Sequence, residues 1–278
     1  MTSQTTTYGF NDQKRLSKLE NDSIYILREA YRTLKKPAML WSMGKDSTVM
    51  LWLTRKAFFG KIPFPVCHID TSFKIPEMIE FRDQMASSWG FDLRISSNKE
   101  ALSEGMNPDK GKLECCTALK TNALKGFLRD TGFRSIFAAI RRDEEGSRGK
   151  ERIFSPRGEG SVWNYKEQPP ELWNAYQTEV EAEVEMRVHP ILHWSELDVW
   201  LYIREEGIPM LDLYYAKNGK RYRSVGCAPC TSQVVSEATT LDEIIEEIRT
   251  TKVGERVGRA QDQADRYAMQ KLRARGYM

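Results

Sequence analysis

The sequence predicts an α/β protein built on a doubly wound, mostly parallel sheet, with a mainly helical cap toward its C-terminal end. Three observations predict it. Short apolar runs alternate with helix-spaced stretches from residue 14 to residue 140. The runs are apolar throughout rather than alternating, as strands buried on both faces require. Polar loops follow them at Ser42, Asp70 and Arg141, at the strand ends where open parallel sheets bind ligands.

In chain order, Leu16, Leu19, Ile24, Ile26, Leu27 and Tyr31 lie near helical spacing and predict a helix over Lys14–Leu34. Pro37 ends that region, and Ala38–Trp41 is a short apolar strand. After a loop, Thr48–Phe59 returns to helical spacing, and Pro63–Ile69 reads as a second buried strand. Glu77–Trp89 predicts a helix, Asp92–Ser96 a third strand, Ala118–Arg129 a helix and Ser135–Ile140 a fourth strand. Beyond Glu145 the periodicity loosens: Gly146–Gln177 carries Trp163, Trp173 and Tyr176 but few periodic apolar positions. Helical spacing resumes at Trp194–Glu206, Leu241–Thr250 and Gln261–Arg275. The expected organisation is an N-terminal helical segment (1–36), an α/β core (37–160) and a helical cap with a cysteine knuckle that completes the site (161–278).

Of the 278 residues, 40% are hydrophobic and 29% charged, an ordinary globular balance that supports a packed core. A net charge of +3 does not indicate direct nucleic-acid binding, although a local basic pocket is compatible with it. Met1–Phe10 is rich in Ser, Thr and Gln, with neither an apolar run nor an Arg-rich face, so no secretory leader is expected. No stretch approaches the roughly 20 apolar residues of a membrane span. The expected location is the cytoplasm. An odd count of five cysteines, Cys67, Cys115, Cys116, Cys227 and Cys230, then reads as reduced thiols or metal ligands rather than disulfides.

Chemistry is expected first at Ser42-Met43-Gly44-Lys45-Asp46-Ser47, which joins a buried strand to a helix. Such a junction aims free amides and the positive end of the helix dipole at an anion. Gly44 allows close backbone approach, Ser42 and Ser47 offer hydroxyls, and Lys45 adds a charge. The alternative is a polar turn capped by Ser and Asp. The spacing is not that of the Walker loop.

These residues resemble the Ser-Gly-Gly-x-Asp-Ser signature of the N-type ATP pyrophosphatases, with Met43 departing at the second position. Ser-Met-Gly-Lys-Asp-Ser itself is similar to the version in the small, catalytic subunit of bacterial sulfate adenylyltransferase. The likeness continues through Ser23–Glu29, Arg55–Phe58, Pro63–Pro65, His68–Thr71, Glu80–Asp83, Arg141–Glu145, Lys150–Arg152 and Pro170–Trp173. The resemblance implies an adenine-nucleotide-binding α/β fold, ATP with Mg²⁺, cleavage between the α and β phosphates, and adenylyl transfer to sulfate. It also implies a GTPase large subunit as partner.

On this reading Ser42, Met43, Gly44, Asp46, Ser47, Asp70 and Arg148 bind ATP, with Asp46 and Asp70 candidates for contact with Mg²⁺. Lys45, Asp46, Arg141 and Arg142 are expected to be catalytic, the arginines clamping phosphate or sulfate oxygens. By itself, the charge run from Arg141 to Arg152 is also compatible with an exposed loop. His68, His189 and His193 read as structural.

The cysteines break the match. Cys115-Cys116 and Cys227-Ala228-Pro229-Cys230 can supply four thiolates to one metal centre, or be small buried hydrophobes or a redox pair. The pattern resembles adenylylsulfate reductases, where such a set holds a 4Fe-4S cluster. However, no cysteine follows Cys230, as the reductase nucleophile would. The remaining precedents are the iron–sulfur ATP pyrophosphatases of DNA phosphorothioation, which imply a cysteine desulfurase among the partners. A structural Zn²⁺ is the other occupant that these ligands allow.

Overall fold

A computed structural model describes residues 10–173, 175–179, 184–260 and 267–276. Helix α1 (Phe10–Thr33) is followed by β1 (Pro37–Leu40), α2 (Lys45–Ala57), β2 (Val66–Ile69), α3 (Pro76–Trp89) and β3 (Leu93–Ser96). The chain continues through α4 (Lys99–Ser103), α5 (Lys112–Cys116), a π-helical segment (Thr117–Asn122), α6 (Ala123–Thr131) and β4 (Ser135–Phe137). Then come β5 (Phe154–Arg157), β6 (Glu185–Val188), α7 (Glu196–Glu206), a small hairpin of β7 (Lys220–Arg221) and β8 (Val234–Val235), α8 (Leu241–Thr250) and α9 (Ala268–Ala274).

Six strands form the main sheet in the order β3-β2-β1-β4-β6-β5, all parallel except β5, which runs antiparallel to β6. Side chains along β1 divide between two cores, as period-two alternation requires. Met39 joins the larger core with residues of α1, α2, α3 and α7, while Ala38 and Leu40 join Leu124, Leu128 and Ile136 under α6. Helices therefore cover both faces. The connections lead outward from β1 to β3, then return under the opposite face to β4. The winding reverses between β1 and β4, and a crevice at their carboxyl ends is the outcome.

Most boundaries follow the sequence reading. Two differences have physical causes. Helix α2 begins three residues early, because Gly44 serves as its N-cap and Lys45 and Asp46 occupy its first turn. Strands β5 and β6 carry polar and charged residues that are buried: Ser155, Arg157 and Arg187 are all sequestered. That masked their pattern, so Glu185–Val188, expected within the helical cap, is instead a strand of the sheet. Part of the predicted helix Gln261–Arg275 lies outside the described residues, and within them α9 supplies its later part. Among the described residues no helix is long and apolar enough to cross a membrane.

His68 and His189 are buried, and burial is the main cause that depresses them, His68 to about 4 and His189 to about 3. Both folded values lie below the unfolded value near 6.5, so the unfolded chain binds more protons across that window. Stability should be complete above about pH 6.5 and fall as pH drops through 6.5 toward 4. Urea titrations from pH 8 to pH 4 check this. His189→Gln should flatten the slope, and an unchanged slope would show that His189 does not contribute.

Candidate active site

The crevice between β1 and β4 is floored by the turn Trp41–Gly44. Ser42 and Ser47 hold the turn: Ser47 Oγ donates to the Gly44 carbonyl at 3.0 Å and lies 3.1 Å from Ser42 Oγ. Met43 adopts φ 62°, the left-handed conformation that favours glycine, and its side chain is wholly buried in the main core. Although expected among the ATP-binding residues, Met43 belongs to the core and does not line the cavity. Gly44 has an ordinary φ of −69° and, as N-cap, offers the helix it begins no side-chain acceptor. Helix geometry leaves the first-turn amides of α2 without intrahelical acceptors. One of them, Lys45 N–H, donates to the Tyr214 hydroxyl at 2.8 Å.

A Cβ on Gly44 would meet Ser42 Oγ at 3.4 Å and Tyr214 Oη at 3.7 Å, ordinary contacts. Gly44→Ala should thus fold with a loss under about 1 kcal/mol. If phosphate must approach this backbone closely, its affinity for ATP should fall about 100-fold. Thermal melting and calorimetry separate the two effects, and retained affinity would remove the close-approach role.

Two buried cations stand behind the turn. Lys45 Nζ donates to Asp46 Oδ2 at 3.1 Å and also to Glu255. Arg141 donates from Nε to Asp46 Oδ1 at 2.5 Å, from Nη1 to Asp143 at 2.5 Å and from Nη2 to Glu255. Burial pushes the Asp46 carboxyl up, but the Arg141 guanidinium and Lys45 ammonium outweigh it and hold it at about 2. Burial also opposes the Lys45 charge, yet Asp46 and Glu255 carry its pKa above the ordinary value.

Of the residues expected at the site, Ser42, Gly44, Lys45, Asp46, Ser47 and Arg148 line the cavity. Arg148 is held by Glu144 and, at 3.2 Å, by Glu145. Arg141 lies beneath the lining, touching it through Asp46 and Glu255. Arg142 departs from expectation: it turns away to the Glu151 carbonyl and His193 Nδ1, both at 2.9 Å. Asp70 is also displaced from the expected role, since it accepts from the Ser72 amide at 2.8 Å and does not line the cavity.

Sequence reasoning missed Tyr214, Glu255, Arg256 and the cationic set Lys74, Lys120 and Arg259, all of which line the cavity. Burial chiefly, then Lys120 and Arg259 after the opposing pull of Cys227, brings Lys74 down to about 8. The opposite wall is apolar: Leu40, Ile69, Leu124, Ala138 and Ile140. A flat heterocycle fits such a wall, and a polyanion fits the turn.

The four paired-motif cysteines are buried, free of disulfides, and brought toward one another beside the cationic end. Lys112 Nζ donates to the Pro229 carbonyl at 3.2 Å, seating α5 on the knuckle. The Cys115 thiol is raised to about 11, by burial first and then by Cys116 and Cys227. Burial also opposes ionisation of Cys227, but Lys120, Lys74 and the Thr71 hydroxyl bring it below its ordinary value. Thr71 Oγ1 and Cys227 Sγ are 3.2 Å apart. Among the described residues no three His, Cys, Asp or Glu side chains are arranged as ligands of one metal ion. Cys67 lies apart, in β2 under α6.

With this geometry in view, the chain matches the phosphoadenosine phosphosulfate reductase domain over residues 36–233. It is 42% identical to sulfate adenylyltransferase subunit 2 of Sulfurimonas denitrificans, across 94% of this chain and 97% of that one. Identity to the Trichlorobacter lovleyi counterpart is 43%, with the same coverage. Among solved structures, phosphoadenylyl-sulfate reductase from Candida auris superposes with a TM-score of 0.55 at 16% identity, covering 80% of this chain and 97% of that one. FMN adenylyltransferase from Candida glabrata, with FMN and an ATP analogue, gives 0.58 at 16% identity over 82% and 68%. The structural likenesses concern the fold.

Proposed function

The chain belongs to the phosphoadenosine phosphosulfate reductase domain family, in its sulfate adenylyltransferase subunit 2 branch, and we propose that it transfers the adenylyl group of ATP to sulfate, releasing pyrophosphate. The observation that carries this reading is 42% identity to that subunit over nearly the full length, in a chain whose α2 N-terminus opens at the winding reversal.

The adenine lies on the Leu40–Leu124–Ile140 wall, and the triphosphate on the Ser42–Ser47 turn. Lys45, and Arg141 through its grip on Asp46, offset charge that gathers on departing pyrophosphate. Lys74, Lys120 and Arg259 offer sulfate a cationic seat across the cavity. Attack of a sulfate oxygen on the α phosphorus needs in-line placement and no enzyme nucleophile. Asp46 lines the cavity, and each of its oxygens keeps a lone pair beyond its bond to Arg141 or Lys45, so it would hold Mg²⁺, which would neutralise phosphate charge.

A large subunit, a GTPase, is the proposed partner, and the cytoplasm the proposed location. The test is sulfate-dependent pyrophosphate release by the purified chain with that subunit. No release with both present would overturn the reading.

One observation favours a second activity: four buried cysteines, of which Cys227 lies in the field of Lys74, Lys120 and Arg259. Such thiols suit a 4Fe-4S cluster, whose negative charge those cations would offset. Cys115, Cys116, Cys227 and Cys230 would hold it, and it would supply a redox-active or structural anionic centre. This second reading makes the chain an iron–sulfur ATP pyrophosphatase that activates an acceptor, such as DNA phosphate, for sulfur delivered by a cysteine desulfurase. Metal analysis of anaerobically purified protein decides the occupant. Stoichiometric iron and sulfide support the cluster, and zinc or no metal overturns it.

A further inference from the structure

We propose that the Glu255 carboxylate is a resident anion that holds the place of pyrophosphate, so that ATP entry and pyrophosphate release are exchanges against it. This rests on the ATP reading above.

The argument begins with charge. Lys45 and Arg141 are nearly inaccessible to solvent, and between them they face three carboxylates: Asp46, Asp143 and Glu255. The cradle thus carries no excess positive charge with which to attract a triphosphate. Coulomb repulsion between a buried carboxylate and an arriving phosphate is severe in such surroundings. One anion has to give way.

Asp46 is fixed in the first turn of α2 and is the partner of both cations. Asp143 is committed to α7, accepting from the Glu196 amide at 2.8 Å. Glu255 alone comes from outside the α/β core, and its own residue lines the cavity beside Lys45.

Its backbone is bolted down. Arg223 donates to the Val253 carbonyl and Arg259 to the Val225 carbonyl, each at 2.6 Å, while Ser232 N–H donates to the Gly258 carbonyl at 2.8 Å. The exchange is therefore a rotation of one flexible side chain over a stationary strap.

The arrangement serves both ends of the reaction. Without nucleotide, Glu255 gives Lys45 Nζ and Arg141 Nη2 a hydrogen-bonding partner beyond those that Asp46 and Asp143 supply, and so keeps the cradle assembled. After transfer, the same carboxylate competes for both cations and helps pyrophosphate leave. Bonds to phosphate oxygens replace bonds to carboxylate oxygens, with no net change in charge on the two cations.

Glu255→Gln tests this, with inorganic pyrophosphate binding to the full chain measured by calorimetry. The expected result is tighter binding by about tenfold or more, with KM for ATP and kcat both lowered in turnover. Weaker or equal binding would overturn the proposal and make Glu255 a structural support of the cradle. Should the amide variant fail to fold, Glu255→Asp carries the test. Its shorter reach loosens both contacts, and pyrophosphate should bind a few-fold tighter, with weaker binding again overturning it. If neither wild type nor variants bind pyrophosphate or an ATP analogue, the ATP reading fails together with the inference built on it.

Discussion

Asp46→Asn should lower adenylyl transfer by about 10²–10³-fold, the usual cost of losing one electrostatic element of a preorganised site. Asp46 is the only group that contacts both Lys45 and Arg141 from within the phosphate turn. Its removal leaves those cations to Glu255, which draws them toward the strap. Arg141 retains Asp143 and Glu255, so the fold should survive with a melting temperature only a few degrees lower. The informative contrast is Arg142→Ala. Sequence reasoning placed Arg142 beside Arg141 in catalysis, but its guanidinium reaches the Glu151 carbonyl and His193 instead. That variant should keep kcat within about threefold of wild type and lose some stability. Steady-state kinetics with melting curves for both variants check the pair. A large kcat loss in Arg142→Ala would restore the abandoned assignment, and an active Asp46→Asn would remove Asp46 from the machinery.

The phosphate turn was legible because everything that defines it is local. A buried strand, a six-residue turn with four polar side chains and an amphipathic helix are contiguous, and backbone geometry turns them into an anion seat. The same holds for the parallel sheet, whose apolar runs announce strands buried on both faces. What closes the site is not local. Tyr214 meets the Lys45 amide across 169 residues, and Glu255 meets its ammonium across 210. No periodicity links them. The left-handed turn at Met43 was equally hidden, since the residue there is the one position that departs from the resembling signature, and only its backbone angle shows why glycine suits it. The cysteine motifs were conspicuous, and the fold does bring α5 onto the knuckle, but their occupant is a matter of chemistry that spacing does not decide.

The charge run from Arg141 to Arg152 illustrates how one sequence feature divides in three dimensions. Its first part, with Arg141, Glu144 and Arg148, serves the cavity, whereas Glu151 belongs to a buried network on the far side of β5. Glu151 has no solvent exposure, and its Oε1 accepts from Arg157 at 2.9 Å and from Arg273 of α9. Trp163 stacks over both guanidiniums, at 5.3 Å and 5.0 Å. Burial pushes the Glu151 carboxyl up, but His189, Arg157 and Arg273 hold it at about 2. Glu151→Ala removes the carboxylate that Arg157 and Arg273 share, and leaves Glu185 as the other carboxylate that supports the Arg157 charge. Breaking a buried pair in this way costs about 3–5 kcal/mol, or a melting temperature roughly 10–15 °C lower for a chain of this size. Because the folded pKa lies below the unfolded one, the wild-type contribution is present above about pH 4.5 and is lost as pH falls toward 2. Melting at pH 7 and pH 3 should therefore show a large gap between wild type and variant that narrows in acid. Amide exchange of α9 should rise in parallel, since Arg273 fastens that helix to the sheet. A melting temperature within about 3 °C of wild type at pH 7 would mean that groups other than Glu151 satisfy the arginines.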